Sequence, residues 1–153
     1  MTILSPGHIR LSGERKAQLE EIAELTGAAS LSAAIGELIK FARTQGLVDH
    51  TIPGVQIRAA SDGLLICFDG KAQTPLTHEG VAALTATIRE FVDGKESPGA
   101  FGYVDHNYSV SRRGTSLKVA IPSGEATTKT WASDIASDFA DLIEAESAKA
   151  RAA

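Results

Sequence analysis

The sequence predicts an α+β fold in two parts: a ribbon strand with two helices over residues 1–46, and, after a linker at 47–54, an α+β domain over 55–153 in the order ββαββα. Three observations carry this. Alternation of apolar and polar residues at 8–12 gives way within three residues to helical spacing. The stretch "GLVDHTIPG" places Gly46, Pro53 and Gly54 between a helical and a β-rich pattern. Beyond it, a hairpin pattern followed by a helical one occurs twice.

In the opening strand, Ile9 and Leu11 share one side, and His8, Arg10 and Ser12 share the other. Ser12 suits the N-cap of a first helix, Glu14 complements the dipole in its first turn, and Gly27 fits just past its end. Leu19, Ile22, Ala23 and Thr26 form its apolar stripe. Ser30 or Ser32 caps a second helix with the stripe Ile35, Leu38, Ile39 and Ala42, which Gly46 ends. A unit this small has little core, and its lone strand has two unpaired edges. A second copy related by a two-fold axis supplies both needs, pairing strand with strand and pooling four helices.

The segment "IRLSGERKAQLEEIAELTGAASLSAAIGELIKFA" resembles the ribbon-helix-helix (Arc/MetJ-type) DNA-binding proteins in its I-x-L-S strand, apolar stripe, T-G stop, serine-containing turn and second helix. The resemblance implies a homodimer whose two-stranded ribbon enters the major groove of double-stranded DNA. His8, Arg10 and Ser12 would then read base edges, with Arg10 suited to a bidentate contact with guanine. It also implies that Ser30, Leu31 and Ser32, at the start of the second helix, hold a DNA phosphate. The ribbon carries a single arginine, fewer cations than usual in that family.

In the second part, Val55 and Ile57 alternate against Gln56 and Arg58, with Asp62-Gly63 at a hairpin turn. Thr77 should cap a helix over about 77–93 with the stripe Val81, Leu84, Ile88 and Phe91. A second hairpin sets Tyr108 and Val110 against Leu117, Val119 and Ile121 across a turn near Arg113-Gly114. A last helix over about 129–149 carries Trp131, Ile135, Phe139 and Leu142. Leu64 precedes Thr77 as Leu117 precedes Thr130, so the spacing suggests two ββα repeats 53 positions apart. The expected product is one antiparallel sheet with both helices on one face, burying Phe68, Phe91, Trp131 and Phe139 and showing Gln56, Arg58, Ser109, Ser111 and Lys118. "SRRGTSLK" is the densest positive charge in the chain, so Arg112, Arg113 and Lys118 are expected to contact DNA phosphates.

Composition limits the other function classes. With 43% hydrophobic and 22% charged residues the 153-residue chain is ordinary globular protein, and a net charge of −4 confines any nucleic-acid contact to a local patch. The absence of a long apolar run or a secretory pattern, and a single Cys67 inside "LLICF", favour a cytoplasmic protein without disulfides or a membrane partner. His8, His50, His78 and His106 lie in separate elements without metal-ligand spacing, and Asp105, His106 and Asn107 read as turn chemistry. No glycine-rich phosphate loop is present, so neither enzyme nor cofactor is expected. The expectation is a dimeric, sequence-specific double-stranded DNA-binding protein, either a transcriptional repressor or a maintenance or transfer factor of a plasmid or mobile element. An antitoxin-like module with a protein partner on its C-terminal domain, and a single-stranded nucleic-acid binder acting through the C-terminal sheet, are the alternatives.

Overall fold

The computed structural model describes residues 7–94, 101–103, 107–122 and 127–152. The chain divides into two compact units, Thr2–His50 and Thr51–Ala153, so the boundary falls inside the expected linker.

In the first unit, α1 (Gly13–Thr26) and α2 (Leu31–Thr44) form where the caps put them. Ser12 is extended, and its Oγ accepts the Arg15 N–H at 3.2 Å; Ser30 does the same for Ala33 at 3.1 Å. Gly27 stops α1 in the left-handed conformation. Beyond α2, Gly46 turns left-handed while Leu47 N–H donates to Ala42 O and Gly46 N–H to Arg43 O, a Schellman closure. One expectation fails here: residues 7–12 form no strand. A strand needs a neighbour for its N–H and C=O groups, and no other described segment of the chain pairs with this stretch.

The second unit departs from ββαββα. Its order is β1 (Val55–Ala60), β2 (Gly63–Phe68), β3 (Thr74–Thr77), α3 (His78–Val92), β4 (Phe101–Tyr103), β5 (Tyr108–Arg113), β6 (Ser116–Ala120), β7 (Thr128–Ala132) and α4 (Ser133–Ala152). The strands make two antiparallel sheets, β1-β2-β3 and β4-β5-β6-β7, in place of the single sheet expected. β3 escapes a pattern search because "TPLT" is four residues long and holds a proline, which an edge strand tolerates. β7 reads as part of the last helix because Trp131 lies at helical spacing from Ile135 and Phe139. The first hairpin turns at Ser61-Asp62, with Gly63 already paired to Ala60. The second turns at Gly114-Thr115, where Gly114 has φ +61°.

The two halves repeat closely. Buried Leu64, Ile66 and Phe68 of β2 correspond to buried Leu117, Val119 and Ile121, 53 positions on. Leu64 pairs with Leu76 and Leu117 with Trp131, and Gly63 pairs with Thr77 and Ser116 with Ala132, so the counterpart of Thr77 in register is Ala132, not Thr130. Two extra residues in the loop before β7 shift the helices to a 55-position offset, matching Val81, Leu84 and Ile88 with Ala136, Phe139 and Ile143, all buried. One core joins both halves: α3 packs on β2, β3 and β5, and α4 on β6, β7, β1 and β2. Thr77 caps α3 as expected, accepting from Gly80 N–H at 3.0 Å.

Phe68, Trp131 and Phe139 meet at the centre, with ring centroids 4.9–5.9 Å apart in edge-on and tilted pairs. Ile135, placed on the apolar stripe of the last helix, is instead 38% exposed. The buried Tyr108 hydroxyl shares a hydrogen bond with Thr87 Oγ1 at 3.2 Å. At the surface, Arg89 of α3 donates to Asp141 at 2.9 Å and Glu144 at 2.5 Å on α4, and the Glu144 hydrogen bond foremost raises the pKa of the guanidinium. His78 Nδ1 lies 2.6 Å from Ser147 Oγ across the same two helices.

Candidate nucleic-acid interface

The residues assigned to base reading lie on the stretch entering α1. His8, Arg10 and Ser12 are exposed, as are Ile9 and Leu11 between them. Ser12 has a second task as the α1 cap, which fixes the angle at which the stretch leaves the helix. Ile9 is 76% exposed, a cost for a large aliphatic side chain unless something covers it.

The helices behind this stretch show the same deficit. Among the described residues Ala34 is the only fully buried one of α1 or α2. Leu38, Ile39 and Phe41 on α2 are 40%, 43% and 63% exposed, and Leu25 on α1 is 81% exposed. An apolar groove of about 410 Å³ runs between Ile22, Leu38 and Phe41 and is open to solvent.

Ser30, Leu31 and Ser32 stand at the start of α2. The Ser30 hydroxyl is committed to Ala33 N–H, while Leu31 and Ser32 hold the first helical positions, whose N–H groups have no acceptor within a helix.

In the second unit the structure separates two residues that look like one basic pair in the sequence. Arg112 lies on the inward side of β5: its Nη2 donates to Phe91 O at 2.5 Å, and its guanidinium sits 5.7 Å from the Phe91 ring centroid. It therefore binds the carboxyl end of α3, where a cation suits the dipole, and stacks on an aromatic ring. Arg113 and Lys118 fall on the opposite face of the sheet, because neighbouring side chains on a strand alternate. Gln56 and Arg58 are exposed on β1, and Ser109 and Ser111 are half-buried on β5.

Two features have no signal in the local sequence. Lys129 of β7 pairs with Asp69, in the turn after β2, at 2.5 Å, tying the second repeat to the first. Cys67 Sγ donates to Lys71 O at 2.8 Å, which gives the buried thiol a structural place. The partners of the ion pair are sixty residues apart, and the thiol bond depends on how the turn after β2 folds back. Asp105 and His106 lie outside the described residues. Among the described residues no group of three His, Cys, Asp or Glu side chains is placed to hold a metal ion, and no single helix is long and apolar enough to cross a membrane. No protein-family model, curated protein sequence or solved structure matches the chain.

Proposed function

We propose that the protein is a homodimeric, sequence-specific double-stranded DNA-binding protein of ribbon-helix-helix type, acting without chemistry, as a repressor or as a maintenance or transfer factor. The observation that carries this reading is the unfinished core of the first unit: two well-capped helices with one fully buried residue between them, Ala34, beside an opening stretch that leaves Ile9 and Leu11 in solvent. A second copy is the occupant that satisfies all of it. Pairing the two opening stretches antiparallel gives each backbone its missing ladder, turns Ile9 and Leu11 onto the pooled helices, and leaves His8, Arg10 and Ser12 on the outer side.

That outer side has the chemistry DNA requires. A two-stranded ribbon fits the major groove, and a guanidinium there reaches guanine O6 and N7 together. The exposed first turn of α2 offers free N–H groups for a flanking phosphate.

Arg10→Ala tests the base-reading role. In binding selections on random duplex DNA, discrimination at one base position should fall by about 1–3 kcal/mol while dimer mass stays unchanged. Unaltered preference at every position would remove the ribbon from sequence reading.

A further inference from the structure

The duplication in the second unit shows what one of its edges lacks. β5 is the counterpart of β1, 53 positions on, and its outer edge is occupied: β4 pairs with it antiparallel, Phe101 with Val110 and Tyr103 with Tyr108. β1 lies at the edge of its own sheet, and among the described residues no strand pairs with its outer side. Tyr108 and Val110 are fully buried, while their counterparts Val55 and Ile57 are half-buried. The opposite edge of the same sheet is closed to additions, since β3 is four residues long and holds Pro75. β1 has six residues and no proline.

The hydrogen bonds already made define which backbone groups of β1 remain. Gly54 O accepts from Asp69 N–H at 2.8 Å, so Gly54 faces β2, and alternation turns the backbone groups of Gln56, Arg58 and Ala60 toward β2 as well. Val55, Ile57 and Ala59 then direct theirs outward. Val55 N–H is committed to Ile52 O at 3.0 Å. What is left is the N–H of Ile57 and Ala59, with the C=O of Val55, Ile57 and Ala59.

We infer that the outer edge of β1 is an interface that pairs antiparallel with β1 of a second copy inside the dimer. One register uses every remaining N–H: with Ile57 opposite the partner's Ile57, the two exchange N–H···O bonds, and Ala59 N–H of each copy donates to Val55 O of the other. The same register sets the exposed Gln56 opposite the partner's Arg58, an amide oxygen across from a guanidinium. The neighbouring register that keeps the same faces together sets Arg58 against the partner's Arg58, and like charge opposes it. A second copy is the occupant because the edge complements itself and the tether is short. The first unit ends at His50 and β1 begins at Val55, so self-association of the first unit brings two such edges within reach of each other. The inference rests on that self-association and is independent of DNA binding.

Amide hydrogen exchange on the full chain tests this without altering the edge. Ile57 and Ala59 N–H should exchange about a hundredfold or more slowly in the unaltered dimer than in Leu38→Glu, which separates the copies, while Arg58 and Ala60 N–H, turned toward β2, should be alike in both. The register is read by cross-linking in a Cys67→Ala background, needed because Cys67 stands across from Gln56 on β2. Gln56→Cys/Arg58→Cys should give a disulfide-linked pair of chains on mild oxidation, since its thiols lie directly opposite each other. Either single variant should not, because its two copies are set diagonally, about 7–8 Å apart and beyond disulfide reach. Fast exchange of Ile57 and Ala59 in a protein of dimer mass would overturn the edge pairing and leave the first unit's association standing. Slow exchange that persists in single Leu38→Glu chains, cross-linking by a single variant in place of the combined one, or an unaltered protein with the mass of four chains would each overturn it too. A mass of one chain would remove the association on which it rests.

Discussion

Leu38→Glu is expected to dissociate the protein into single chains and to abolish measurable operator binding with them. Leu38 lies beside Phe41 and Ile22 on the exposed apolar groove of the first unit. In the proposed dimer it would be buried twice, once per copy. Removing two leucine side chains and placing two carboxylates in an apolar seam should weaken association by at least about 3 kcal/mol, more than a hundredfold. Sedimentation velocity and duplex titration read the two effects. Melting of the second unit should be unaffected, because its core is built of residues from Ile52 onward. A Leu38→Glu chain that stays dimeric would place the self-association elsewhere.

Gly63→Ala should be the most damaging single methyl group in the second unit. Gly63 opens β2 directly against β3, and a Cβ there would fall onto the Leu76 carbonyl oxygen and lie 2.8 Å from Thr77 Cα. Both obstacles are backbone, and Thr77 also caps α3, so relief requires β3 and the start of the helix to move together. A cost above about 3 kcal/mol and a fall in melting temperature of about 10 °C or more are expected. Gly114 makes the contrast: its positive φ disfavours a side chain, yet nothing lies within 4 Å of a Cβ there. Gly114→Ala should therefore cost about 1 kcal/mol. Equal melting shifts for the two variants would contradict the close approach of β2 and β3.

The features legible in the sequence have local causes. Ser12, Ser30, Thr77 and Gly27 mark helix ends because capping is a matter of a few adjacent residues. The stripe Val81, Leu84, Ile88 and Phe91 is visible because one helix buries one face, and all four are buried. The hidden features depend on partners far away in the chain. "TPLT" is a strand only because β2 lies beside it, and Trp131 fits helical spacing as well as it fits the register with Leu117. Arg112 and Arg113 look alike as a basic pair; only the alternation of β5 sends one to the end of α3 and the other to the outer face. The opening stretch is the reverse case: its alternation is plain in the sequence, yet residues 7–12 form no strand and pair with no described segment of the chain.

In the proposed dimer the first unit completes its core only with a second copy of itself. Sedimentation equilibrium of the chain at micromolar concentration tests it most directly. Twice the 16.0 kDa of one chain is expected. A mass of one chain across that range would contradict it.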